Sequence, residues 1–297
     1  MSSSDHAGGS TLSAIVRDAL ESLSAGERKV GRTLLANYPI AGLETVAELA
    51  RRAGVSPPTV VRFVTRLGFT GYPDFQRRLM REVHERLGSP LEQYGRAELQ
   101  PSADDLARAA RIFSTGIAST LDDLPQSEFD RAVVLLSESR QRIALLGGRF
   151  SRMLAEYLGA HLALLRRDVV VIDDSELARL AAISDVRPGD VLVVFDYRRY
   201  DSQVINVAQQ ASERGAEIVL FTDRWLSPAA DVAATVLPAE VHAPSPFDSL
   251  VPALALVEAV IAGVTDALGE AGRRRLEAIE SMRGRTMPDQ PTGFTGA

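Results

Sequence analysis

TVAELARRAGVSPPTVVRFVTRL, residues Thr45–Leu67, decides how the chain is organised, because it reads as two short helices joined by a tight turn. Thr45 is a helix-capping residue, and Glu48, three positions on, completes a capping box. Val46, Leu49 and Ala50 recur at helical spacing and form one apolar face, whereas Glu48, Arg51 and Arg52 fall elsewhere. Gly54 supplies the left-handed residue that stops the first helix. Ser56 stands at the cap of the second helix and Pro57 fits its first turn, where no backbone donor is lost. Val60, Val61, Val64 and Leu67 form its expected apolar stripe. The pattern predicts a helix-turn-helix whose second helix enters a DNA major groove. Ser56, Pro57, Pro58 and Thr59 then lie where base edges are met, with Arg62 and Arg66 following at helical spacing. Arg28, Lys29, Arg51 and Arg52 are the expected phosphate contacts. The implied partner is a double-stranded DNA operator.

Charge is distributed to match. The 297 residues carry a net charge of −6, yet the stretch from Glu27 to Arg86 holds eleven Lys/Arg and six Asp/Glu, or +5, leaving −11 for the remainder. A basic reading segment attached to an acidic remainder draws the first toward phosphates and keeps the second away. With 45% apolar residues the chain is long enough for two cores. No cysteine is present, which excludes disulfides, thiolate catalysis and cysteine-held zinc, and four scattered histidines argue against a metal site. No cofactor is expected. The amino terminus lacks the basic start and apolar middle of a signal peptide, and no apolar run approaches the length of a bilayer span. A cytoplasmic location follows as an expectation.

Outward from the centre, residues 1–11 are small and polar and are expected to be disordered. Residues 12–87 form the expected helical DNA-binding domain. Within it Leu12–Leu23 is helical in pattern, and Ser24 with Glu27 forms a second capping box for a helix that ends near Asn37-Tyr38-Pro39. Phe69 and Tyr72 read as core plugs beyond the second reading helix. A basic helix from Asp74 to Leu87 carries Arg77, Arg78, Arg81 and Arg86. A linker is expected over 88–102 and a second domain over 103–282, with a disordered tail at 283–297. In the second domain, helical segments alternate with short β-branched runs at RIALLG, DVVVID, DVLVVFD and AEIVLFTD. That alternation predicts an α/β fold, a doubly wound parallel sheet in a sandwich, with any ligand beyond the carboxyl ends of the strands.

Two strand ends stand out. The first runs into Gly147-Gly148-Arg149-Phe150-Ser151, where glycines admit an anion, a helix begins and Ser151 adds a hydroxyl. The plain alternative is an ordinary strand-to-helix turn. The third runs into Asp196-Tyr197-Arg198-Arg199-Tyr200-Asp201-Ser202, whose adjacent arginines call for an anionic partner. That partner is either a ligand or an internal carboxylate such as Asp196, Asp201 or Asp223. Ser249, in Phe247-Asp248-Ser249, either caps the last helix or faces the same crevice. The expected effector-binding set is therefore Gly147, Gly148, Ser151, Arg198, Arg199, Ser202 and Ser249.

These residues carry a family resemblance. LSAGERKV and TVAELARRAGVSPPTVVRFVTRLGFTGYPDF resemble the amino-terminal half of the RpiR/MurR family of bacterial transcriptional regulators. GGRFS, RPGDVLVVFD, ERGAEIVLFTD and SPAAD resemble the sugar isomerase (SIS) domain found in the same family. The resemblance spans roughly Leu23 to Leu268 and implies a regulator that senses a phosphorylated sugar, with Ser151 at the place of the family's phosphate-contacting serine. The family's second phosphate motif, Ser-x-Ser-Gly-x-Thr, is replaced by Asp196-Tyr197-Arg198-Arg199-Tyr200-Asp201. Either the two arginines substitute charge for hydroxyls, or the effector is another acid such as a carboxylate. Operator reading by one short helix further implies a homodimer or higher oligomer. The alternative is a sugar-phosphate isomerase with an accessory helical domain, for which Glu240 and His242 are the nearest acid–base pair; with no stronger pair, no catalytic residue is assigned.

Overall fold

The computed structural model describes residues 11–87, 105–138 and 142–286. The expected linker 88–102, most of the amino-terminal segment and most of the tail lie outside them. The chain divides into two compact units that part between Leu99 and Gln100.

The first unit is helical. Thr11, assigned above to the disordered start, instead caps α1 (Leu12–Ala19), its hydroxyl accepting from the Ala14 N–H. The buried Glu82 accepts from the Leu12 N–H at 2.8 Å and from the Tyr38 hydroxyl at 2.7 Å, tying the first helix to α6 (Tyr72–Leu87). Both capping boxes form as their spacing requires, Ser24 with Glu27 before α2 (Ala25–Ala36) and Thr45 with Glu48 before α4 (Val46–Ala53). A short α3 (Ile40–Leu43) intervenes, too brief to leave a periodic signal. Gly54 ends α4 at φ 64°, ψ 40°, and α5 (Pro57–Arg66) follows. Val30, Leu34, Leu49, Val60, Phe63, Val64, Phe75 and Leu79 are wholly buried together. The stripe of α5 differs from expectation at one edge, where Thr59 and Phe63 are buried and Val61 is exposed.

In the second unit, α7 (Asp105–Asp123) and α8 (Gln126–Glu138) precede a five-stranded parallel sheet. Its strands are β1 (Ile143–Gly147), β2 (Val169–Val171), β3 (Val191–Phe195), β4 (Glu217–Asp223) and β5 (Thr235–Ala239), in the order β2-β1-β3-β4-β5. Alternate strand residues serve opposite layers. Ile143, Leu145, Val193, Phe195, Val219 and Phe221 pack with α8, α9 (Arg152–Leu165) and α12 (Val251–Thr286). Leu146, Leu192, Val194, Ile218 and Leu220 pack with α10 (Glu176–Ser184) and α11 (Ser202–Glu213). Burial on both faces is why the strands read as continuous apolar runs.

The last helix corrects two expectations. It continues to Thr286, past the start of the expected tail, and bends where Gly269 leaves helical geometry at φ 47°, ψ −125°. Its stretch from Val251 to Met282 is also long and apolar enough, by length and composition, to cross a membrane. Ala253, Leu256, Val257, Val260 and Val264 are wholly buried against the sheet, so one face of this helix belongs to the core, with 39% of its most apolar stretch buried.

Candidate DNA-reading face and effector crevice

On α5 the outward residues are Pro57, Pro58, Val61, Arg62, Thr65 and Arg66. Ser56 is the N-cap residue, but its hydroxyl does not bond the helix backbone as expected; it lies 3.0 Å from the Thr59 hydroxyl. Thr59, expected at a base edge, is instead 9% exposed and turned into the unit. Its hydroxyl accepts from the Arg62 guanidinium at 3.1 Å, which makes it a positioning residue for Arg62. Arg66 is 54% exposed at the side chain and stands 3.9 Å from Glu27. Lys29 and Arg51 are exposed, on α2 and α4 of the same unit. Arg52 is ion-paired with Glu44, and Arg28 turns back to the Leu23 carbonyl at 2.9 Å, so both are partly committed within the protein. Phe69 and Tyr72 sit in the core, packed around Phe75.

In the α/β unit the strand order reverses between β1 and β3, the position where such sheets open a crevice. The turns after these two strands are joined directly. The Ser151 hydroxyl donates to the Phe195 carbonyl at 2.7 Å and accepts from the Gly148 N–H at 3.0 Å. Its hydrogen is directed inside the protein here, joining the two turns. Gly147 is explained by packing: a Cβ there would stand 2.6 Å from the Arg152 backbone. Gly148 has more room, its nearest neighbours being the Ser151 hydroxyl and Asp201.

The two arginines meet carboxylates of the protein itself: Arg198 acts on Asp223, one of the three considered from sequence, and both reach Asp248, which was not among them. Arg198, with 6% of its side chain exposed, is ion-paired with Asp248, and Arg199 approaches the same carboxylate at 3.5 Å. Arg198 also lies over the Trp225 ring, 5.6 Å from its centroid. Arg199 reaches Asp248 from a left-handed backbone at φ 66°. Asp248 is the residue that sequence reasoning missed: it is 49 positions from Arg199, and its only signal is a carboxylate just before the last helix. Ser202 is exposed at the start of α11, next to Asp201, which caps that helix. Ser249 is buried and accepts from the Val251 N–H at 3.1 Å, the capping alternative of its two readings.

Behind the arginines lies a buried acidic floor. Asp196 accepts from the Ser227 hydroxyl and from the Asp201 N–H at 3.0 Å, while Asp223 accepts from the Tyr200 hydroxyl and the Trp225 N–H, both at 2.9 Å. Burial pushes the Asp196 carboxyl up to about 6, against the Ser227 and Asp201 hydrogen bonds, which favour its charged form. Burial raises Asp223 likewise. A carboxyl raised in the folded state holds its proton after the unfolded chain has lost it. Asp196 therefore favours folding fully below about pH 4 and progressively less up to about pH 6. In Ser227→Ala the Asp196 titration, followed by carbonyl carbon shifts, is expected to move above 6. A wild-type midpoint near 4 would contradict this assignment.

Elsewhere the polar groups serve the fold. At the opposite ends of the strands Arg142 pairs with Asp185 at 3.7 Å, and Asp190 accepts from the Arg187 N–H at 2.9 Å. Glu240 stands 3.7 Å from Arg224, and His242 is exposed. Among the described residues no cluster of three or more His, Asp or Glu is placed to hold a metal ion.

A capped helix pair with a basic outward face, joined to a doubly wound sheet with an ionic crevice, defines a DNA-binding regulator with a ligand-binding half. Residues 10–86 match the helix-turn-helix domain of the rpiR family, and residues 135–263 match the SIS domain. The chain is 30% identical over 259 residues to the HTH-type transcriptional regulator HexR of Pseudomonas aeruginosa, covering 84% of this chain and 87% of that one. It is 28% identical over 272 residues to HexR of Escherichia coli, covering 89% and 91%. The chain belongs to the RpiR family of helix-turn-helix transcriptional regulators. Its fold resembles that of the Vibrio vulnificus NanR protein, solved in complex with ManNAc-6P, with a TM-score of 0.55 and 21% identity over 94% of this chain and 100% of that one.

Proposed function

We propose that the α/β half binds an anionic metabolite, a phosphosugar or a related carboxylate, at the strand ends and through it alters how the helix-turn-helix grips its operator. The observation that carries this is the convergence of Arg198 and Arg199 on Asp248. Two guanidinium groups gathered on one protein carboxylate form an anion site with an internal occupant, and Arg199, 39% exposed, leaves that site open on one side. An incoming phosphate or carboxylate takes the place of Asp248. The ManNAc-6P bound to NanR supports the phosphosugar class. Gly147, Gly148 and Ser151 shape the floor of the crevice, Ser249 steadies the start of α12, and Ser202 is an exposed hydroxyl at its rim.

The exchange has a measurable sign. Removing the Asp248 charge takes away the carboxylate that Arg198 and Arg199 share and lowers the melting temperature of the unliganded protein. It also removes the competitor, so Asp248→Asn is expected to bind the anion about tenfold more tightly in calorimetric titrations across sugar phosphates and small acids. Arg198→Ala with Arg199→Ala is expected to abolish the heat of binding. Unchanged affinity in Asp248→Asn, or binding retained without the arginines, would sink the exchange.

This reading makes the chain a sensor rather than an isomerase, in keeping with relatives named as regulators and with Glu240 held against Arg224 instead of serving as a proton-transfer base. It places the protein in the cytoplasm with its operator. A homodimer or larger assembly supplies the second reading helix that affinity requires.

A further inference from the structure

The face that α5 turns outward is divided, and the division specifies chemistry in the operator. Thr59, Val60, Phe63 and Val64 fill the inner face completely. At 100° per residue, Pro58 and Thr65 then lie at the centre of the outer face, Arg62 and Arg66 on one flank and Val61 on the other. Val61 is 42% exposed, although the same helix buries Val60 and Val64. The Thr65 hydroxyl donates to the Val61 carbonyl at 3.0 Å, so its hydrogen is spent on the helix. The Pro58 ring and the Val61 isopropyl group thus make a strip with no donor to offer, beside a flank of guanidinium donors. Arg62 and Arg66, exposed on the same helix, set this strip beside positive charge suited to a polyanion.

In a major groove the apolar feature presented to such a strip is the C5-methyl group of thymine, and polar base edges are left to the arginine flank. We infer that Val61 is a specificity-determining residue, its isopropyl group packing on a thymine methyl in the operator. The inference rests on DNA reading by α5 and adds to it the base type met on the flank away from Arg62. Val61 acts by contact and not by charge, so it sets which sequence is bound without altering how binding depends on salt.

The test starts from the full-length protein and a pool of random duplexes. The enriched site is resynthesised with deoxyuridine in place of each thymine in turn, which removes only the methyl group. At one thymine per half-site, deoxyuridine is expected to weaken wild-type binding about three- to tenfold. Val61→Ala should show the same loss on the thymine duplex and no further loss on the deoxyuridine duplex. Its melting temperature and the slope of affinity against salt should equal those of the wild type. Three results would overturn the inference: insensitivity to every methyl removal, undiminished sensitivity in Val61→Ala, or an apolar strip that binds a protein partner while Val61→Ala reads DNA normally. Failure to enrich any sequence would overturn it together with DNA reading itself, which separates the two.

Discussion

Arg62→Ala is expected to lower operator affinity by about 1–3 kcal/mol, roughly 5- to 150-fold, and to relax preference at one base position. The reasons are geometric. Arg62 projects from the exposed face of α5, and its guanidinium is steadied by the buried Thr59 hydroxyl at 3.1 Å. A pre-positioned guanidinium loses less freedom on binding than one that moves freely in solvent. Thr59→Val keeps the side-chain volume and removes the steadying group, so it should show a smaller loss in the same direction. Arg66, held only loosely by Glu27, is the contrasting case. Arg66→Ala should weaken all duplexes alike and reduce the salt slope by about one, as a phosphate contact does. Gel shifts at graded salt distinguish the two, and unchanged affinity in both variants would remove α5 as the reading element.

Phe195→Ala is expected to destabilise the α/β unit by about 3–5 kcal/mol. The ring is wholly buried and stacks on Phe221 with centroids 4.5 Å apart. The same residue's backbone carbonyl accepts from Ser151, a bond that the substitution leaves in place. The helical unit has its own core, and its thermal transition should stay where it is. A single transition that shifts as a whole would show instead that the two units unfold together.

The helix-turn-helix was legible because its rules are local. Caps at Ser24 and Thr45, the left-handed Gly54 and the spacing of Leu49, Val60 and Val64 depend on neighbours within a few residues. The parallel sheet was legible for a similar reason, since strands buried on both faces leave unbroken apolar runs. The four runs at β1 to β4 all form strands, whereas β5, with Pro238 in it, was too weakly patterned to stand with them.

The crevice was legible only in part, because its chemistry depends on pairs distant in sequence. Adjacent arginines called for an anionic partner, either a ligand or an internal carboxylate, and nothing local pointed to Asp248, 49 and 50 positions on. A GG-x-x-S turn fits a phosphate cradle and a packed turn equally well, and the Ser151 bond to Phe195, 44 residues away, leaves no local pattern. Thr59 shows the same limit on the reading helix: its place in the chain points to DNA, while its burial turns it toward Arg62. Val251–Met282 reaches membrane-spanning length and composition because a core helix and a bilayer helix share both, and here one face packs on the sheet.

The most direct test of the whole account is linkage between the two halves. Operator affinity of the full-length protein is measured by fluorescence anisotropy with and without a saturating anionic effector identified by calorimetry. The effector is expected to change DNA affinity at least fivefold, and the operator to change effector affinity by the same factor. An effector that binds in exchange with Asp248 yet leaves operator affinity untouched would contradict the account.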